Sequence, residues 1–294
     1  MKKALPPIFI VLLLLVGLGL LFYPDISTWY NSQLQHGLVQ EFDEEVGRMY
    51  QEAIDYQLQR AREYNEALNG VSIEDPFVAG SGAVLPPAHY LETLNVRGIM
   101  ARIRIPRLDI DLPVFHTTTM AVLERGVGHI EGTSFPVGGQ GTHAVLTGHS
   151  GLAHATMFTP LLDSHGGIEY GDLFFIQVLN QTLAYQVDQI LTVLPHEIEA
   201  LRISQSADYV TLVTCTPFAL NTHRLLVRGA RVPYTPEMEE EIVPLVINQT
   251  DWRMIIMIAF VPLFLFILLI FKVKETSKEE RDILRMIERR RRRI

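Results

Sequence analysis

The chain of 294 residues contains a single cysteine, Cys215. That excludes an internal disulfide, and it excludes any metal site built on several thiolates. Lysine is nearly as scarce: all five, at positions 2, 3, 272, 274 and 278, lie close to the termini. Residues 24–251 hold no lysine, 12 arginines and 28 acidic side chains, a formal charge of −16. A surface of that sign does not suit nucleic acid. Charge is absent altogether from residues 4–22 and 254–271, which are almost wholly Leu, Ile, Val, Phe, Met and Gly.

Roughly 20 apolar residues form a membrane-spanning helix, so both uncharged runs are long enough. Leu21-Phe-Tyr-Pro-Asp25 offers no small-x-small cleavage site, which favours an uncleaved anchor over a signal peptide for the first. Lys2 and Lys3 at one end, and Lys272, Lys274 and Arg289–Arg293 at the other, set both termini in the cytoplasm. Pro24–Asp251 then faces outward, between two spans. The mixed-charge tail reads either as a helix near anionic lipid headgroups or as a solvated stop-transfer tail.

Within the outward part, Ser27–Leu68 reads as one or two helices, with Gly37 or Gly47 as possible breaks. Leu38, Phe42, Val46, Met49, Ala53 and Tyr56 form one stripe at spacings of three and four. Val71–Pro87, rich in Gly and Pro and without periodicity, reads as a long loop containing Asp75-Pro76-Phe77. From Gly98 to Tyr234 the chain is mostly strand. The candidates are Ile99–Ile105, Leu112–Phe115, His143–Thr147, Leu173–Leu179, Leu183–Leu191, Tyr209–Thr214 and Arg224–Val232, with a hairpin at Asn180-Gln181. Ala153–Leu162 and His196–Leu201 read as short helices. Many short strands with turns between them indicate a sandwich or a barrel.

A thiol is a nucleophile as its thiolate, and a free cysteine has a pKa of roughly 8.5, so a nucleophilic Cys215 needs a basic or cationic neighbour. His149 follows the strand His143–Thr147 and a glycine, which displays its imidazole at a strand end, where catalytic side chains are often presented. Arg224 shares a strand face with Leu226, opposite His223 and Leu225. A guanidinium there stabilises a thiolate and donates hydrogen bonds to an oxyanion. Spacing alone also allows Cys215 as a buried small hydrophobe, His149 as a structural or solvated ring, and Arg224 as a surface ion-pair partner.

Thr211-Leu-Val-Thr-Cys215-Thr, Asn221-Thr-His-Arg224 and Leu146-Thr-Gly-His149 together resemble the signature of the sortases, cysteine transpeptidases of Gram-positive cell envelopes. Leu108-Asp-Ile-Asp-Leu-Pro113-Val, Gly126-Val-Gly-His-Ile-Glu-Gly132-Thr-Ser and Phe135-Pro-Val-Gly-Gly-Gln-Gly-Thr-His143 extend the resemblance across residues 99–234. The second apolar run and the Asp75-Pro76-Phe77 loop resemble the class C, pilus-assembling branch. Ser150, after His149, departs from the arginine commoner there, and Phe77 stands where Trp or Tyr is also found.

The resemblance implies a mostly β fold: a closed sortase-type barrel of about eight mostly antiparallel strands with short helices, an N-terminal helical region and a transmembrane helix at each end. It implies Cys215, His149 and Arg224 as the catalytic residues, and Asp75, Pro76 and Phe77 as a lid in which Asp75 pairs with Arg224 and Phe77 covers Cys215. The division expected is 1–3 cytoplasmic, 4–22 span, 24–70 helical, 71–97 lid and linker, 98–235 catalytic barrel, 236–253 linker, 254–271 span and 272–294 basic tail. The activity implied is cleavage of a Leu-Pro-x-Thr-Gly-like signal between Thr and Gly and transfer of the acyl group to a pilin lysine, with no metal or organic cofactor. The alternatives are a sortase that anchors proteins to cell-wall peptide and a non-catalytic membrane-tethered adhesin.

Overall fold

The structure, a computed structural model, describes residues 7–68, 89–151, 157–241, 281 and 283–287, with side chains from Val16 onward and excepting Glu240 and Glu241. The chain divides into two compact units, Met1–Leu245 and Val246–Ile294. The Asp75-Pro76-Phe77 loop, the apolar run 254–271 and most of the basic tail lie outside the described residues. Among the described residues no helix is long and apolar enough to cross a membrane.

Two helices open the first unit, α1 (Pro7–Arg48) and α2 (Gln51–Ala67). They part at Met49–Tyr50, two residues beyond Gly47, while Gly37 lies inside α1. Tyr50 is extended (φ −69°, ψ 145°), which resets the helical register. Phe42 and Val46 of the expected stripe are buried, but Ala53 and Tyr56 are exposed, and α2 buries Ile54, Leu58, Ala61 and Asn65 instead. One stripe therefore does not run through both helices, because the extended residue turns the second helix about its axis.

The rest of this unit is a barrel. Its strands are β1 (Ile99–Ile105), β2 (Ile110–His116), β3 (Val127–His129), β4 (Thr142–Thr147), β5 (Leu173–Val178), β6 (Gln181–Val193), β7 (Asp208–Thr216) and β8 (His223–Val232). They close in the order β1-β2-β3-β4-β7-β8-β6-β5. Closure leaves no unpaired strand edge. Pairing is antiparallel except between β2 and β3 and between β4 and β7. Strand β3, three residues long, carries too little pattern to be read from sequence. The β5–β6 hairpin turns on Leu179-Asn180, one residue earlier than the sequence suggested.

The two short helices expected at Ala153–Leu162 and His196–Leu201 are absent from the described residues there, which form only single 3-10 turns, Thr159–Leu161 and Glu199–Leu201. Pro160 lacks the N–H an α-helix would use, and six residues are too few to offset helix nucleation. Two further α-helices are brief: α3 (Met120–Leu123) and α4 (Glu237–Glu241).

Strand β1 shows how the core is built. Ile99, Ala101, Ile103 and Ile105 point inward and are at most 2% exposed, while Arg102 and Arg104 alternate outward. Arg102 donates to Asp111 on β2 through Nε and Nη2 (2.6 Å each) and to Asp43 on α1 through Nη1 (2.8 Å). Arg104 forms a two-pronged pair with Glu239 on α4. Helices α1 and α4, one before the barrel in sequence and one after it, are thus fastened to one strand. Bidentate, part-buried pairs of this kind hold geometry better than exposed single contacts.

Beneath α2 lies an aromatic and imidazole cluster. His129, wholly buried, accepts from the Tyr90 hydroxyl at Nδ1 (2.8 Å) and donates from Nε2 to the Ser134 carbonyl (2.8 Å), the tautomer its partners dictate. Burial pushes its pKa down to about 4, only partly opposed by the Ser134 carbonyl. Burial also lowers the pKa values of His116 and His143. These rings are neutral in the fold, whereas in the unfolded chain they protonate near 6.5. The unfolded state therefore takes up protons first as pH falls, and stability is lost from about pH 6.5 towards pH 4. Urea unfolding at a series of pH values is expected to show this loss, with His129 alone contributing on the order of 3 kcal/mol. A flat profile, or stability that rises on acidification, contradicts it.

Candidate active site

The neighbouring strands β4, β7 and β8 bring three of the expected site residues together. Strands β7 and β8 pair through eight successive positions, from Tyr209 opposite Ala230 to Thr216 opposite His223, and Cys215 lies directly opposite Arg224. Directly opposed residues share a sheet face with Cβ atoms about 5 Å apart, so thiol and guanidinium emerge side by side. Strands β4 and β7 pair in parallel up to Thr147 opposite Val213. His149 and Cys215 each stand two residues past that pair. Contacts on both sides bracket them: Thr214 Oγ1 donates to the Gly148 carbonyl (2.7 Å), and Ser150 Oγ donates to the Cys215 carbonyl (2.5 Å).

The face that carries Cys215 and Arg224 is the outer face of the barrel wall. Val213 and Leu226, two residues from each, belong to a small apolar cluster with Ile130, Val145 and Leu201, separate from the main core. Leu212, Leu225 and Val227 point the other way, into the main core. The site is thus an extension of an apolar patch, which displaces water and strengthens charge interactions at its rim. Cys215 is 6% exposed, His149 9% and Arg224 5%. Arg224 Nη1 donates to the carbonyls of Asn221 (3.2 Å) and His223 (3.1 Å), which orients the guanidinium on its own strand.

Gly148 admits no side chain. A Cβ there would lie 2.9 Å from the ring of Phe158, itself wholly buried. The Phe158 N–H also donates to the His149 carbonyl (3.0 Å). Glycine thus lets Phe158 press against the strand end that presents the imidazole. In the loop between β7 and β8, the Phe218 ring sits 4.5 Å, centroid to centroid, from that of His165. That loop leaves Phe218 43% and Leu220 72% exposed, an apolar rim beside the site.

The sequence reading missed Thr147, Ser150, Phe158 and Thr214 as parts of this site. Thr147 and Thr214 lie inside the motifs that carry the resemblance and Ser150 directly after one, but nothing local marks what their hydroxyls bond to; Phe158 carried no signal. A polar cleft of about 480 Å³, lined by Arg62, Asn65, Glu66, Gly139 and Gln205 among others, opens beside Thr142 at the opposite end of β4. None of the expected site residues lines it.

A buried thiol beside an imidazole and a guanidinium is suited to nucleophilic acyl transfer. Known proteins agree. The sortase domain family matches residues 103–232. Sortase C1 of pilus island 1 from group B Streptococcus is 40% identical, with a TM-score of 0.62 over 69% of this chain and 94% of that one. A sortase C of Streptococcus pneumoniae is 41% identical, with a TM-score of 0.62 over 68% of this chain and 98% of that one. Sortase C-1 from Actinomyces oris is 44% identical, with a TM-score of 0.58 over 62% and 99%. Sortase A of Streptococcus agalactiae is 25% identical over 227 residues, 76% of this chain and 82% of its own. The higher identity and near-complete coverage lie with the C enzymes: the chain belongs to the sortase family of cysteine transpeptidases, on its class C branch.

Proposed function

We propose that this sortase polymerises pilin subunits. Cys215 Sγ attacks the threonine carbonyl of a Leu-Pro-x-Thr-Gly-like signal. The Thr–Gly amide breaks, His149 gives a proton to the leaving glycine amine, and a thioester on Cys215 remains. Arg224 donates to the oxyanion in each tetrahedral intermediate. The ε-amine of a lysine on the next subunit then attacks the thioester. An isopeptide forms, the cysteine sulfur leaves, and the amine's surplus proton passes to His149. The observation that carries this reading is Cys215 set directly opposite Arg224, with the His149 strand end tied to the same cysteine through Ser150.

The reading extends to the envelope. The spans are 4–22 and 254–271, both termini are cytoplasmic, and residues 24–251 stand on the outer face of the membrane. The barrel unit is 98–235, with 236–253 as a linker and 272–294 as the basic tail. Residues 71–97 hold the lid, in which Asp75 pairs with Arg224 and Phe77, set by Pro76, lies over Cys215. The low exposure of all three site residues supports a covered resting state. Pilin as substrate is supported by the likeness to a pilus-island sortase C1, and the lysine acceptor rests on the same class.

Four outcomes are expected. With the full-length enzyme and purified pilins, mass spectrometry of the product finds a threonine-to-lysine ε-isopeptide; threonine joined to a cell-wall peptide amine instead identifies an anchoring sortase. In a strain with no other sortase, Cys215→Ala abolishes pilin ladders, and ladders that persist exclude Cys215 as nucleophile. Arg224→Ala lowers kcat by about 10²- to 10³-fold, the usual effect of removing an oxyanion donor, and a loss under threefold excludes that role. For the lid, deleting residues 74–78 speeds alkylation of Cys215 by a small thiol reagent, whereas an unchanged rate removes the lid from the account.

A further inference from the structure

The backbone pairing of β4 and β7 stops short of the reacting groups. Among the described residues its last bond is from the Gly148 N–H to the Val213 carbonyl (3.1 Å). Beyond it the two chains are joined by side-chain hydroxyls. Thr147 Oγ1 donates back to Val213 (3.2 Å), Thr214 Oγ1 donates across to the Gly148 carbonyl (2.7 Å), and Ser150 Oγ donates to the carbonyl of Cys215 itself (2.5 Å). Thr147 and Thr214 are wholly buried and Ser150 is 2% exposed, so water does not compete for these carbonyls. Two of the three bonds end on the peptide units flanking His149 and Cys215.

We propose that Ser150 and Thr214 are positioning residues whose hydroxyls carry the β4–β7 pairing past the end of the backbone ladder and hold Cys215 in reach of His149. The proposal rests on Cys215 being the nucleophile. Neither hydroxyl touches substrate; each acts on the chain that bears a reacting group. The geometry explains why a small hydroxyl residue follows His149 here. Its side chain lies between two strand ends and donates to the Cys215 carbonyl, beyond the last backbone bond that joins β4 and β7 among the described residues. Proton transfer and thiol attack are steep functions of distance, and a displacement of about 1 Å is enough to slow a reaction up to 10²-fold. Loss of one tie is therefore read in the chemical step and not in substrate affinity.

The test uses the full-length enzyme in detergent and a fluorogenic Leu-Pro-x-Thr-Gly peptide. Ser150→Ala is expected to lower kcat about tenfold, leave KM within twofold, and displace the pH profile of kcat/KM, because the paired ionisations of thiol and imidazole depend on their separation. Thr142→Ala is the comparison. Thr142 is also buried and its hydroxyl donates to the Gly139 carbonyl (2.6 Å), but it sits at the far end of β4. It is expected to lower Tm without changing kcat or the pH profile. The proposal is overturned if Ser150→Ala keeps kcat within twofold of wild type, or if Thr142→Ala loses as much kcat for the same fall in Tm. Should Ser150→Ala not fold, the near-isosteric Thr214→Val answers the same question. A tenfold fall in kcat that Thr214→Ser restores supports the tie, and an unchanged kcat overturns it. Cys215→Ala is assayed alongside. Cleavage that survives it removes the nucleophile assignment, an outcome separate from any result at position 150.

Discussion

Everything at this site depends on the register of β7 against β8. Side chains alternate across a strand, so a slip of one residue would send Cys215 and Arg224 to opposite faces. The register is over-determined. Eight residue pairs hold it, and both faces of the two strands are apolar. Leu212, Leu225 and Val227 enter the main core while Val213 and Leu226 pack in the smaller outer cluster. A slip would exchange these sets and expose or strand both. Core packing is therefore what keeps a thiol beside a guanidinium.

The parallel pairing of β4 with β7 adds the imidazole. In an antiparallel sheet of hairpins, sequence neighbours become spatial neighbours. Here His149 and Cys215 are far apart in sequence and meet because β4 and β7 run the same way and end together. Phe158 closes the arrangement from the other side, against a glycine that leaves it room. The site is thus walled on two sides, and the exposed Phe218 and Leu220 of the β7–β8 loop stand near it.

The barrel was legible because its long strands alternate or run continuously apolar. Ile99–Ile105 has the same bounds in sequence and structure, and β4, β5, β7 and β8 differ by one or two residues at their ends. Three things were not legible. Val127–His129 is too short to show a period. The change of register between α1 and α2 depends on a single extended residue, Tyr50, which no composition rule marks. The ties from Thr147, Ser150 and Thr214 to the carbonyls of a neighbouring strand are tertiary, and hydroxyl residues occur everywhere in this chain. Cys215, His149 and Arg224 were expected as site residues because each belongs to a motif with a chemical reason, and the fold places Cys215 opposite Arg224. The bonds made by the hydroxyls in and beside those motifs have only a geometric reason, which the sequence does not display.

The most direct test of the account is to identify the acylated atom. The full-length enzyme is mixed with a Leu-Pro-x-Thr-Gly peptide in the absence of any amine acceptor, quenched in acid, and mapped by tandem mass spectrometry. The account predicts one new mass, the peptide truncated after threonine, joined as a thioester to Cys215 and released by hydroxylamine. Cleaved peptide with the acyl group on another residue, or with no covalent intermediate trapped at any time point, would contradict it.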